Sequence, residues 1–257
     1  MSEEKAPGRV HHEAHGRVLK ITIDNAARRN AFTPEMMDQL SDGLTELDRD
    51  DSYWAGVVCA EGEHFTAGLD MPKFFGPTAQ PRAERPDTVD PFGLGKLCRK
   101  PIVTAVQGIT FTIGIEMLLA GDIAVAADNA RFCQMEAKRG IAPLGDAHFR
   151  FLSRMGWGDA MYHLLLCDEF NAAEALRIGL VQEVVPLGRQ VERAMELAEL
   201  IAKNAPPGIQ VTKKAARAFI EAGEKAAIAA GAEIRATVMD SEDAKEGIRS
   251  LDRKSVV

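Results

Sequence analysis

Two carboxylates, Glu116 and Glu136, stand in the most apolar part of this chain, residues 101–136, which read PIVTAVQGITFTIGIEMLLAGDIAVAADNARFCQME. An unpaired charge among apolar neighbours is costly, so such a group usually has a partner or a job. Two carboxyl groups near one apolar site can divide acid and base duties if their surroundings push their pKa values apart. A strand-like run from Ile102 ends at a glycine turn, Gly108, and a helix is expected to begin near Ile113. The first backbone N–H groups of a helix lack internal acceptors and sit at its positive end. They can hold an oxyanion beside the two acids.

Positioning these groups requires a scaffold, and the flanking sequence supplies its pattern. Residues 17–23 (RVLKITI) alternate apolar and polar as a strand does. Thr33-Pro34-Glu35 opens a helix, with Thr33 as cap and proline in the first turn, and Met37, Leu40, Leu44 and Leu47 form its apolar stripe. Residues 55–60 and 123–127 read as buried strands. Strands alternating with helices predict an α/β class with parallel strands.

Residues 72–95 interrupt the alternation with Pro72, Pro77, Pro81, Pro86 and Pro91. That density disfavours a continuous helix or central strand, so a loop is expected, either mobile on the surface or covering a ligand. From about residue 159 the pattern is helical. Asn171 and Glu174 form a capping box for a short helix ending at Gly179, and 181–185 is a strand. Helices follow at 190–203, 208–222, 225–239 and 243–249. Pro206-Pro207 separates the first two, and Gly223 ends the next.

Composition removes several function classes. At 257 residues the chain can bury a large core. A formal net charge of −7 disfavours nucleic acid as the main partner. No apolar run approaches the ~20 residues of a membrane span, so no membrane partner is expected. The start, MSEEKAPGRVHHEAHG, has neither the apolar core of a signal peptide nor the acid-poor character of a transit peptide, and the expected location is cytoplasmic. Cys59, Cys98, Cys133 and Cys167 lie in or beside apolar stretches with no CxxC pair, as reduced buried thiols do. His11, His12 and His15 have no further ligand at suitable spacing, and no metal site is expected.

Four blocks carry a resemblance. Lys100, Pro101, Ala105, Gly108, Gly114, Glu116, Asp122, Ala130, Phe132 and Glu136 follow the pattern K-P-x-x-A-x-x-G, then E-x-x-x-x-x-D, then A-x-F-x-x-x-E. Phe65, Ala67, Gly68, Leu69 and Asp70 give F-x-A-G-x-D. Asn30, Ala31 and Phe32 stand after the first strand, and Ala172, Ala175, Gly179, Leu180, Val181, Val184, Val185 and Pro186 form the last block. In this order, over roughly residues 15–250, they closely resemble the enoyl-CoA hydratase/isomerase (crotonase) superfamily. The resemblance implies an α/β fold, a crotonase-like spiral of ββα turns in residues 1–195 that holds the CoA and acyl site. It also implies a helical C-terminal region, 196–257, used in trimer contacts, with a homotrimer or a dimer of trimers as the assembly.

It further implies hydration of a 2-enoyl-CoA thioester, with Glu116 and Glu136 as acid and base. The N–H groups of Leu69 and Ile113 would hold the thioester oxygen. Arg28, Ala67, Gly68 and Asp70 are the CoA-binding candidates. Coenzyme A is then part of the substrate, and no separate cofactor is implied. Where the family has consecutive glycines this chain has Thr112-Ile113-Gly114, so the Ile113 side chain is expected to narrow the pocket. The glycine-rich turn after the second glutamate has become Leu144-Gly145-Asp146-Ala147-His148. Asp146 either faces the acyl pocket as a further acid or base, or caps the helix that begins with Ala147. Rival readings are an isomerase or other acyl-CoA lyase on the same fold, and a non-catalytic CoA-binding or RNA-binding scaffold.

Overall fold

The computed structural model describes residues 7–239 except 78, 141, 144 and 146, and for 223–239 the backbone alone. Among these residues the chain builds two sheets. The larger comprises β1 (Arg9–His15), β2 (Val18–Asp24), β3 (Ala55–Ala60), β4 (Ile102–Val106), β6 (Ile123–Ala127) and β9 (Glu183–Val185), in the order β1-β2-β3-β4-β6-β9. All neighbours are parallel except β1, which runs antiparallel to β2. The smaller sheet is β5 (Ile109–Phe111), β7 (Arg131–Cys133) and β8 (Phe170–Asn171).

Every residue of β3 and β4 is buried, as expected of parallel strands covered on both faces. Helix α1 (Pro34–Arg49) covers one face with Met36, Leu40, Leu44 and Leu47. Helix α6 (Gln190–Ile201) covers the other, laying Ala194 and Ala198 against Val57, Val103 and Val125. The predicted caps are present. Thr33 accepts from the Met36 N–H at 3.3 Å, and Asn171 accepts from the Glu174 N–H at 3.0 Å to start α5 (Ala172–Arg177).

The predicted spiral of ββα turns is visible in the connections. β4 leads to β5 and then to α3 (Ile113–Ala120), and β6 leads to β7 and then to a 3-10 turn, Glu136–Arg139. After β3 the chain pairs Thr66 in parallel with Thr110 of β5 before entering α2 (Met71–Phe75). The turns after β4 and β6 thus each contribute one long strand to the large sheet and one short strand to the small one. The short pieces are two to three residues long, too brief to show a period of two in the sequence.

The structure corrects several expectations. Residues 9–15 of the polar start form strand β1, in which only Val10 is buried. The helix expected to begin with Ala147 does so, and as α4 (Ala147–Leu166) it runs on past 159, with Gly156 at φ +77° as a kink. Helix α7 runs unbroken over Pro206–Met239, through Gly223. Glycine in a helix interior costs only about 1 kcal/mol, less than the surrounding turns supply. The expected helix at 243–249 lies outside the described residues.

Residues 72–95 are less free than their prolines suggest. Ser41 Oγ donates to the Val89 carbonyl at 2.6 Å, and the Val89 N–H donates to Thr45 Oγ1 at 2.8 Å. Arg82 and Arg85 bridge to Asp38 and Asp42, and Arg49 donates to the Asp87 carbonyl. Prolines remove backbone donors, but side chains of α1 satisfy the backbone groups of Val89 and the Asp87 carbonyl.

Candidate active site

Glu116 and Glu136 leave the same end of two adjacent strands. β5 and β7 are parallel neighbours with Phe111 opposite Cys133. Glu116 lies in the first turn of the helix that follows β5, and Glu136 opens the 3-10 turn that follows β7. The Thr112 N–H donates to the Cys133 carbonyl at 3.0 Å and holds the two exits together. The chain beyond Glu136 then returns to Glu116, as the contacts of Gly145 and Ala147 demonstrate.

The surroundings of the two carboxyls are unequal. Glu116 is fully buried, and its Oε1 accepts from the backbone N–H of Gly145 at 2.9 Å and of Ala147 at 3.2 Å. Ala147 is the first residue of α4, so negative charge on this oxygen meets the positive end of a helix. A Cβ on Gly145 would stand 2.5 Å from Glu116 Oε2, so only glycine allows this approach.

Glu136 is buried too, at 6% exposure, but its support is thinner. Gln134 Nε2 donates to its Oε1 at 2.9 Å, and its Oε2 has no hydrogen-bond partner among the described residues. Burial pushes the Glu136 carboxyl up to about 7. Near neutral pH it can therefore carry or release a proton with little bias.

The two expected donors are held in register. Thr66 pairs with Thr110 through the Thr66 N–H to the Ile109 carbonyl, 3.0 Å, and the Phe111 N–H to the Thr66 carbonyl, 3.1 Å. Leu69 and Ile113 each stand three residues further along these parallel segments. Leu69 is bridged to Phe32, whose N–H and carbonyl bond to Gly68 and Asp70, so the Leu69 N–H faces away from Phe32. The Ile113 N–H is the first of α3. Among the described residues neither donor has an acceptor. Gly68, at φ +110°, lies against Thr112: a Cβ there would meet Thr112 Oγ1 at 2.6 Å.

The cost of losing the family's glycines falls on Thr112, not on Ile113. Thr112 adopts φ +50° and ψ −114°, a conformation β-branched residues avoid. Ile113 is helical, 3% exposed, and its side chain belongs to the main hydrophobic cluster.

At the rim, Arg28 and Asp70 are brought together, Nη1 to Oδ2 at 3.4 Å with the arginine exposed. Ala67 is exposed beside them and its N–H donates to the Arg29 carbonyl at 2.9 Å. Asp146 lies outside the described residues, and His148 is exposed. Asn30 and Asp122, both in the recognised blocks, have structural work. Asn30 Nδ2 donates to the carbonyls of Glu61 and His64 at 2.9 and 2.7 Å. Asp122 Oδ2 accepts from the Ile102 N–H at 2.8 Å and from Lys213 of α7 at 2.6 Å. The sequence reading missed Gln134, Gly145 and Thr112 as parts of the site. Gln134, two residues before Glu136 in an apolar stretch, was the one legible signal.

Comparison with known proteins shows the family and the fold. The family model for enoyl-CoA hydratase/isomerase matches residues 13–256. The chain is 31% identical over 246 residues to enoyl-CoA hydratase EchA19 of Mycobacterium tuberculosis, covering 94% of this chain and 92% of that protein. It is 30% identical over 254 residues to the short-chain-enoyl-CoA hydratase of Clostridium acetobutylicum, covering 94% of each. Among solved structures it is similar to an enoyl-CoA hydratase from M. tuberculosis, with TM-score 0.87, 29% identity and 96% of both chains covered.

Proposed function

The chain belongs to the enoyl-CoA hydratase/isomerase family, and from that premise we propose that it adds water across the 2,3 double bond of a 2-enoyl-CoA thioester. The observation that carries this reading is the inequality of the two buried carboxyls. Glu116, held by the Gly145 and Ala147 N–H groups, is the base. It takes a proton from water as the water oxygen bonds to carbon 3. The electron pair of the double bond moves toward the thioester oxygen, which the Leu69 and Ile113 N–H groups receive. Such preorganised donors are worth ~3 kcal/mol each at the transition state.

Glu136, with its pKa raised to about 7 by burial, is protonated often enough to deliver a proton to carbon 2. Proton exchange with solvent then returns Glu116 to its anionic form and Glu136 to its acid form. Isomerisation needs one carboxyl to remove and return a proton on carbon; the second acid, fixed on a helix start, favours hydration. Retention of two buried acids argues against a scaffold that has lost turnover.

Coenzyme A is part of the substrate, met at the rim by Arg28, Ala67, Gly68 and Asp70. Homotrimeric assembly, alone or as a dimer of trimers, belongs to the same proposal. The exposed Trp157, Leu165 and Leu166 of α4 support it as apolar surface that a second copy would cover. Turnover of 2-enoyl and 3-enoyl thioesters of several chain lengths, with product analysis, tests the reading. Formation of 3-hydroxyacyl thioesters from the 2-enoyl compounds is expected. Double-bond migration without hydration would replace this reading with the isomerase.

A further inference from the structure

Helices α4 and α7 and the end of α3 enclose a groove of about 530 Å³ whose lining does not include the two glutamates. That is within the size range of small-molecule sites, ~300–1,000 Å³. Two guanidiniums on its wall converge on the last carbonyls of α3. Arg154 Nη2 donates to Gly121 at 2.8 Å and Leu119 at 3.4 Å, and Arg217 Nη2 donates to Ala120 at 3.3 Å.

These carbonyls do not balance the charge. A helix C-terminus carries about half a negative charge, and two whole positive charges face it. Among the described residues neither arginine has a carboxylate within ion-pair distance. Among the described residues the acids that line the groove are Asp122 and Glu221; Lys213 already holds Asp122 at 2.6 Å, and Glu221 is exposed. Burial pushes Arg154 below its usual range; the Asp122 carboxylate pulls the other way, and the nearby Arg217 adds to the lowering. Between the cations the wall is apolar, with Phe149, Ile209 and Ile220.

The geometry points to a second binding site on this chain, in which Arg154 and Arg217 hold the carboxylate of an aliphatic molecule whose hydrocarbon lies along Phe149, Ile209 and Ile220. A planar guanidinium matches a carboxylate with two parallel hydrogen bonds. The apolar wall rewards a hydrocarbon and gives nothing to a bare phosphate. The carboxylate has two chemical sources: a free fatty acid, or the far end of an acyl thioester that is acidic at both ends.

Calorimetric titration of the full-length protein with dodecanoate tests the site without reference to turnover. One dodecanoate per chain is expected. Dodecyltrimethylammonium, an equally long chain of opposite charge, should not bind, and inorganic phosphate should bind at least ~10-fold more weakly. Arg217→Gln should weaken dodecanoate at least ~10-fold, the loss expected of one charge-assisted hydrogen bond. Arg154→Lys should do the same, and because it keeps a charge near α3 it separates lost binding from lost folding. Enoyl thioesters with and without a terminal carboxylate distinguish the sources. A KM raised by Arg217→Gln for the carboxylated thioester alone identifies the substrate's own tail. Unchanged KM values with dodecanoate binding lost identify a free fatty anion. Absence of dodecanoate binding, equal binding by Arg217→Gln, or equal binding of the ammonium or of phosphate overturns the site.

Discussion

Glu116 and Gly145 are in contact so close that the carboxylate occupies the space where a side chain on residue 145 would begin, 2.5 Å from Oε2 to the Cβ position. The Gly145 N–H meanwhile donates to Oε1 at 2.9 Å. One residue thus supplies both the donor and the room. Gly145→Ala is expected to displace the carboxylate and lower kcat at least ~10-fold, with KM changed little, since the lost geometry concerns the proton transfer. Steady-state kinetics on a 2-enoyl thioester decides it, and an unchanged kcat would detach Gly145 from the mechanism.

Glu136 carries its own pH signature. Its carboxyl is raised from 4.5 to about 7 by burial, so the folded protein binds this proton more tightly than the unfolded chain does. Stability therefore falls as pH rises from about 4.5 to about 7 and then levels off. Glu136→Gln removes that loss. Its Tm relative to the parent should rise between pH 5 and pH 8 while kcat falls at least ~100-fold. Thermal melts at the two pH values check the sign, and a Tm difference independent of pH would mean that Glu136 titrates normally.

Gln134 holds Glu136 by one hydrogen bond to Oε1. Removing the donor disfavours the carboxylate form, so Gln134→Leu should move the alkaline limb of the kcat profile to higher pH. A structural role alone would lower activity without shifting that limb. Rate measurements from pH 6 to pH 9 separate the two.

Thr112 occupies a left-handed conformation that glycine adopts without strain. Thr112→Gly should stabilise the protein by about 1 kcal/mol, the low end of the usual cost of such strain. Thr112→Ala, which keeps a Cβ at positive φ, should not. Chemical denaturation of both variants tests this, and equal effects would locate the strain elsewhere.

Residues 82–93 should exchange their amide hydrogens slowly even without ligand, since side chains of α1 bind this segment at Val89, Asp87 and Arg85. Fast exchange throughout 72–95 would restore the mobile lid that the prolines suggested.

Local chemistry made much of this legible in the sequence. The strand at Ile102–Val106, the helix starts at Thr33 and Asn171, and the two acids in an apolar stretch depend on neighbours a few residues away. Types and spacing alone pointed to them, whereas Leu69 and Ile113 entered as expected donors only through the family resemblance. Contacts between distant segments decided the rest. Burial and the return of Gly145 and Ala147 make the two glutamates unequal, although both are the same residue type. The left-handed turn falls on Thr112 because its N–H must reach Cys133 on the neighbouring strand. Strand β1 exists through its pairing with β2, and α7 crosses Gly223 because its other turns outweigh one glycine. Arg154 and Arg217, 63 residues apart in the chain, meet only where α4 and α7 close on the end of α3. Desolvation and charge proximity are set by what surrounds a group in space, and no spacing along the chain encodes that.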